Sequence, residues 1–153
     1  MRKEEAMRIL TSCAKQYSSN LVNRNLLFLF SADSTVSFIK ALFLPKHFLH
    51  LTGVELLSPG MGASDFYRSC LSSQLSPGYL KLARDGTTEM KLSVLPTIMN
   101  IQKTAKMVGE YDMTKTRLFT EKIIGTVTAC LGFVREGDYY IPNTVLPLVQ
   151  CVN

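Results

Sequence analysis

Apolar residues in the first twenty or so positions fall at three- and four-residue steps. Ala6, Ile9, Leu10, Cys13, Ala14, Tyr17 and Leu21 form one stripe with Lys3, Arg8 and Lys15 between them, the period of an amphipathic helix. The pattern then shortens. Leu26 to Phe30 is an unbroken apolar run, and Thr35 to Phe43 is rich in β-branched and aromatic residues, so the two predict strands joined as a hairpin around Ser31 to Ser34. Pro45 ends the second strand and suits the first turn of a short helix carrying His47, Phe48, His50 and Leu51, which Gly53 closes.

Ser58 to Gly62 reads as a loop, Ser64-Asp65 as a helix start, and Ser76-Pro77 as another before Tyr79 to Leu82. Thr87 to Lys106 has helical spacing in Met90, Val94, Ile98 and Ile101, with Pro96 expected to kink or divide it. The last third changes period. Ile123-Ile124, Thr126 to Val134 and Tyr139 to Ile141 are strand-like, with Glu136-Gly137-Asp138 as a turn, so a β-meander ends the chain. A helix and hairpin, a helical middle and a terminal meander predict an α+β fold, not the alternation of a doubly wound one.

Composition narrows this further. The 153 residues, 46% of them hydrophobic, are the size of a single domain spanning 1–153, and no linker or repeat divides them. No apolar run approaches the roughly 20 residues needed to cross a bilayer. The start Met1-Arg2-Lys3-Glu4-Glu5 is unlike a secretory signal, so a cytoplasmic location is expected. Cys13, Cys70, Cys130 and Cys151 stand singly and read as reduced thiols, with no metal site among them. The formal charge of +5 suits an anionic partner such as RNA, but the basic residues form no run, so any basic face must be assembled by folding. After Asp138 no side chain is charged, which suggests a packed tail.

Three segments together are distinctive. Lys46-His47-Phe48-Leu49-His50-Leu51-Thr52-Gly53, Leu118-Phe119-Thr120-Glu121-Lys122-Ile123-Ile124-Gly125, and Leu131-Gly132-Phe133 with Tyr139-Tyr140-Ile141-Pro142-Asn143-Thr144-Val145-Leu146 resemble the fourth subgroup of the phage barnase/EndoU/colicin/RelE-like nuclease family. The resemblance runs from the first helix to about Leu146. It implies a ribonuclease-like fold that works without a metal or other cofactor, an N-terminal helical part packed on an antiparallel sheet, and an origin in phages or other mobile elements. The chain departs from the family pattern after the Asn-Thr segment, where Pro147 to Asn153 carry no charged side chain.

Metal-free RNA cleavage uses the neighbouring 2′-hydroxyl as nucleophile and needs a base, an acid and donors for the phosphorane charge. His50 is the first candidate for base or acid and His47 the second, since imidazole titrates near neutral pH and the chain has only these two histidines. Lys46 would neutralise phosphate charge and Thr52 donate a hydrogen bond to it. Asn143 and Thr144, held by Pro142, would join Thr120 and Lys122 from a neighbouring strand, with Arg117 as a phosphate clamp. Tyr139 or Tyr140 would stack on a base or shift a proton. Each has a plainer reading. A histidine between leucines is often a packed residue, Thr52-Gly53 can simply cap a helix, Asn143-Thr144 can be turn residues, and Arg117 and Lys122 can be solvated charges.

Other enzyme classes lack their signatures. His-Glu-x-x-His, Cys-x-x-Cys, a P-loop, a dinucleotide fingerprint and a Gly-x-Ser-x-Gly elbow are all absent. The leading expectation, implied by the resemblance, is an endoribonuclease acting by 2′-hydroxyl transesterification, with RNA as partner. The competing one is a non-catalytic module that holds RNA or a protein such as an antitoxin, an immunity protein or a host defence protein. A third is a structural protein that oligomerises through its uncharged terminal strand.

Overall fold

The computed structural model describes residues 1–32, 34–110 and 122–148. Helix α1 spans Lys3–Asn20, as the apolar stripe predicts, and buries Ala6, Leu10, Cys13, Ala14 and Tyr17. Glu4 and Glu5 occupy its first turn, where the unpaired N–H groups favour negative charge. The expected hairpin follows as β1 (Asn25–Ala32) and β2 (Thr35–Leu42), paired antiparallel from Asn25↔Leu42 to Ala32↔Thr35. Ser34 takes a φ of 68° at the turn, a left-handed conformation typical of two-residue hairpin loops.

A 3-10 turn (Pro45–His47) runs into α2 (Phe48–Thr52), which Gly53 ends in the left-handed region at φ 70°, as expected. β3 (Glu55–Leu56) and α3 (Ala63–Leu71) come next. The helix expected after Pro77 is corrected. Only a 3-10 turn forms at Pro77–Tyr79, and β4 (Leu80–Lys81) pairs with β3. Gly78 disfavours continuing the helix; the Leu80 amide closes the turn on the Pro77 carbonyl, and Leu80 and Lys81 then pair with Leu56 and Glu55 of β3.

Pro96 also behaves differently from expectation. It sits inside α4 (Thr87–Ile98), and the interruption before α5 (Ile101–Thr104) comes at Met99-Asn100. The chain then enters β5 (Met107–Glu110), a strand the helical spacing up to Lys106 concealed. The meander is completed by β6 (Lys122–Gly125), β7 (Ala129–Glu136) and β8 (Tyr139–Pro147). Thr126 to Thr128 are a turn rather than the start of a strand. The buried Thr126 hydroxyl accepts from the Thr128 and Ala129 amides and donates to the Ala129 carbonyl, folding the chain back on itself.

The large sheet has the order β1-β2-β8-β7-β6-β5. β2 meets β8 in parallel at Ala41↔Tyr140, and the other neighbours are antiparallel. β8 thus lies between two strands and under α2 and α4, which accounts for its lack of charge. Its β7 side is paired from Tyr139 to Pro147, and on the other side it meets β2 at Ala41↔Tyr140. Along β8, Gly132 pairs with Thr144 and Phe133 with Pro142, leaving Asn143 as the extra residue of a bulge. Proline lacks the N–H that a regular ladder uses, so a bulge beside Pro142 follows from the sequence.

Tyr17 organises the core. Its ring lies 5.3 Å from Phe48, 5.4 Å from Tyr67 and 6.1 Å from Phe43, and Phe43 in turn meets Phe133 at 5.9 Å. The contacts tie α1 to β2's exit, α2, α3 and β7. Such offset and edge-on aromatic pairs add directional contact to area burial. Cys13 and Cys70 are free and buried, and burial pushes both thiols up to about 12. Cys130 is disulfide-bonded, which corrects the expectation of four reduced thiols. Among the described residues no helix is long and apolar enough to cross a membrane.

Candidate functional site

The stretch from Leu44 to Gly53 is pinned before it presents anything to solvent. The Leu44 amide donates to His47 Nδ1 at 3.1 Å, and the Leu44 carbonyl accepts from the His47 amide at 3.0 Å and from the Tyr17 hydroxyl at 2.7 Å. The last bond anchors the turn to α1. His47 is buried, and its Nε2 has no partner among the described residues. Burial, with help from Lys46 and His50 and against Glu136, lowers its pKa to about 4. A neutral ring with one nitrogen already accepting is a brace for the turn.

His50, three positions on, is exposed, because Phe48, Leu51 and Thr52 occupy the buried positions of α2. The two rings therefore do not open onto solvent together. Thr52 is fully buried, its hydroxyl donating to Leu49 O at 2.6 Å and accepting from the Val54 amide at 3.1 Å. This corrects its assignment to phosphate binding, since the hydroxyl is spent on ending the helix. Gly53 is required twice over. Its φ is left-handed, and a Cβ there would lie 3.0 Å from Lys91 Cδ and 3.2 Å from Thr88 Cα. The Thr88 hydroxyl donates to the Gly53 carbonyl at 2.6 Å and accepts from the Ala83 amide, locking α2 against α4.

That close approach brings in a residue the motif reading missed. Lys91 is 9% exposed on α4, and its Nζ donates to the His50 carbonyl at 3.2 Å. It forms no salt bridge among the described residues, and burial lowers its pKa. A nearly buried ammonium without a carboxylate is a costly arrangement. The signal was present in the sequence: Lys91 falls on the stripe of Thr88, Leu92, Leu95 and Ile98, where a buried apolar residue is expected. Lys46, His50, Gly53, Ala63 and Lys91 line an open groove of about 470 Å³. Burial and then the Lys91 charge lower the His50 pKa, favouring the neutral imidazole.

The C-terminal candidates divide. Asn143 projects from the bulge and is half-buried, on the strand against which both walls of the groove, α2 and α4, are packed. Thr144 is 2% exposed, so its hydroxyl, which has no partner among the described residues, is closed to a large substrate. Lys122 is half-buried on β6, in the cross-strand row Lys122↔Phe133↔Pro142. Two strand spacings, about 10 Å, separate it from Pro142. Tyr139 and Tyr140 are both half-buried at the start of β8, and Lys40 Nζ stands 5.5 Å from the Tyr139 ring centre, within cation–π range. Lys46 is exposed on the groove's rim. Arg117 and Thr120 lie outside the described residues. Among the described residues no cluster of three or more His, Cys, Asp or Glu is placed to hold a metal ion.

No curated protein and no solved structure matches the chain. Over residues 9–150 it matches the family model described as phage-Barnase-EndoU-ColicinE5/D-RelE like nuclease4. The match takes in the short helix of His50, the Lys91 helix and the bulged strand alike, and the chain belongs to this nuclease-like family.

Proposed function

We propose that the protein is an endoribonuclease of phage or mobile-element origin that cleaves RNA at the groove between α2 and α4. The observation that carries this is that one groove is lined by both an exposed, neutral-leaning imidazole, His50, and the nearly buried ammonium of Lys91, which is held there by the His50 backbone carbonyl. His50 takes the proton of the 2′-hydroxyl. The 2′-oxygen bonds to phosphorus, the bond to the 5′-oxygen breaks, and a 2′,3′-cyclic phosphate and a 5′-hydroxyl result. Lys91 balances the phosphorane charge in a partly desolvated setting, where a fixed cation counts for more than in water. The departing oxygen is protonated from water at the open rim, where Lys46 adds positive charge. Asn143 and Lys122, with Arg117 and Thr120, would extend the contact to flanking phosphates, and Tyr139 and Tyr140 would stack on bases.

Of the two histidines only one is open, and this favours a second reading in which the same groove holds RNA, or a protein partner, without cutting. One experiment separates the two. Purified protein and its His50→Ala variant are incubated with total bacterial RNA in excess EDTA. Discrete fragments ending in cyclic phosphate are expected from the unmodified chain alone, with activity falling only below the usual histidine range because the His50 pKa is lowered. Bound but intact RNA would select the second reading. Equal cleavage by a folded His50→Ala protein would remove the imidazole from the chemistry.

A further inference from the structure

We propose that the protein carries a second binding site, a cleft between β1 and β5 that accepts one extended, apolar and acidic peptide segment of a partner protein as an inserted strand. β1 and β5 are the two edges of the six-stranded sheet. Yet Leu27 to Ser31 of β1 and Met107 and Val108 of β5, with Lys106 just before them, line one cavity of about 540 Å³. The sheet therefore curls until its edges face each other across a gap. At strand and sheet spacings of about 4.8 and 10 Å and a rise of about 3.3 Å, this volume holds about three residues of strand.

Following the pairings round the sheet, β2 runs against β1, β8 runs with β2, and β7, β6 and β5 each reverse. β1 and β5 consequently point the same way. A single strand entering in the opposite direction makes antiparallel ladders on both sides, the more favourable pairing. Edge strands leave alternate peptide groups unpaired, and no backbone hydrogen bond joins Leu27 to Ser31 to anything but β2 among the described residues. Gln102, on the cleft wall, has a buried Oε1 without a partner among the described residues, an acceptor suited to a peptide N–H.

The chemistry of the walls selects the occupant. Lys103 and Lys106 are exposed at the cleft, and among the described residues that line it there is no carboxylate, so acidic residues are favoured. Leu27 and Leu29 are 56% and 63% exposed beside it, which favours apolar neighbours on the same strand. A cleft bounded on both sides needs a strand with both edges free. The edge strand of a second folded copy has only one.

Random eight-residue peptides displayed on phage are selected against the full chain, and the enriched ones are synthesised. Proline-free sequences mixing apolar and acidic residues are expected. They should protect the amides of residues 27–31 and 107–110 from hydrogen exchange and bind at least tenfold more weakly when N-methylated at alternate amides. The K103E/K106E variant, with an unchanged Tm because both lysines are exposed and form no salt bridge among the described residues, should also bind at least tenfold more weakly. The proposal is overturned if nothing is enriched, if other amides are protected, or if N-methylation leaves affinity intact. Protection of the same strands by raising protein concentration alone would give the cleft to a second copy, and protection by an RNA oligonucleotide would give it to nucleic acid. Either result overturns the proposal.

Discussion

Acidification should destabilise the fold through His47 by an amount the structure allows to be worked out. The ring is buried and its pKa falls from 6.5 to about 4 on folding, chiefly because burial penalises the imidazolium. The unfolded chain therefore binds the proton more readily than the folded one. The stability due to the neutral ring is present in full above pH 6.5 and is lost as the pH falls toward 4. At about 1.4 kcal/mol per unit, the loss is about 3 kcal/mol, a large share of the 5–15 kcal/mol typical of a domain. Lys46 and His50 act in the same direction as burial, and Glu136 opposes them.

His47→Asn is the informative comparison, since its Oδ1 can take the place of Nδ1 in accepting from the Leu44 amide at 3.1 Å but does not titrate. Urea denaturation at half-unit steps from pH 7.5 to about pH 4 would give both stability curves. The variant starts lower at neutral pH, having lost ring contacts. The gap should then close by about 3 kcal/mol as the pH falls. Two curves that descend in parallel would refute the argument, because the acid sensitivity would then belong to other groups, His50 among them.

Lys91→Met keeps the length of the side chain and removes its charge. Thermal denaturation should show unchanged or slightly raised stability, since a buried ammonium without a carboxylate is replaced by an apolar group, while RNA affinity measured by filter binding falls at least tenfold. Loss of stability with RNA binding intact would place the ammonium's role in the fold. Gly53→Ala adds a Cβ 3.2 Å from the Thr88 backbone at a left-handed φ; chemical denaturation should show a cost of about 1–2 kcal/mol, and no measurable cost would mean that α2 and α4 part easily.

Much of this fold is local, and that part was legible. The stripe from Ala6 to Leu21, the two apolar runs either side of Ser31 to Ser34, and Pro45 with Gly53 bracketing a short helix each state their structure within a few residues. Period, turn residues and caps act at that range. The family resemblance was legible as well, through the His-Phe-x-His-Leu-Thr-Gly and Tyr-x-Pro-Asn-Thr segments. What the sequence could not decide were matters of distant neighbours. His47 and His50 look equivalent in the chain, and only the packing of Phe48 against Tyr17 turns one ring inward and leaves the other open. Lys91 joins His50 across 41 positions because Gly53 and Thr88 allow two helices to touch. β4 and β5 are strands because a partner strand lies beside them, against what Pro77 and the spacing before Lys106 suggest. Periodicity records which face of an element is apolar, whereas burial, pKa and strand pairing depend on what the rest of the chain brings to that face.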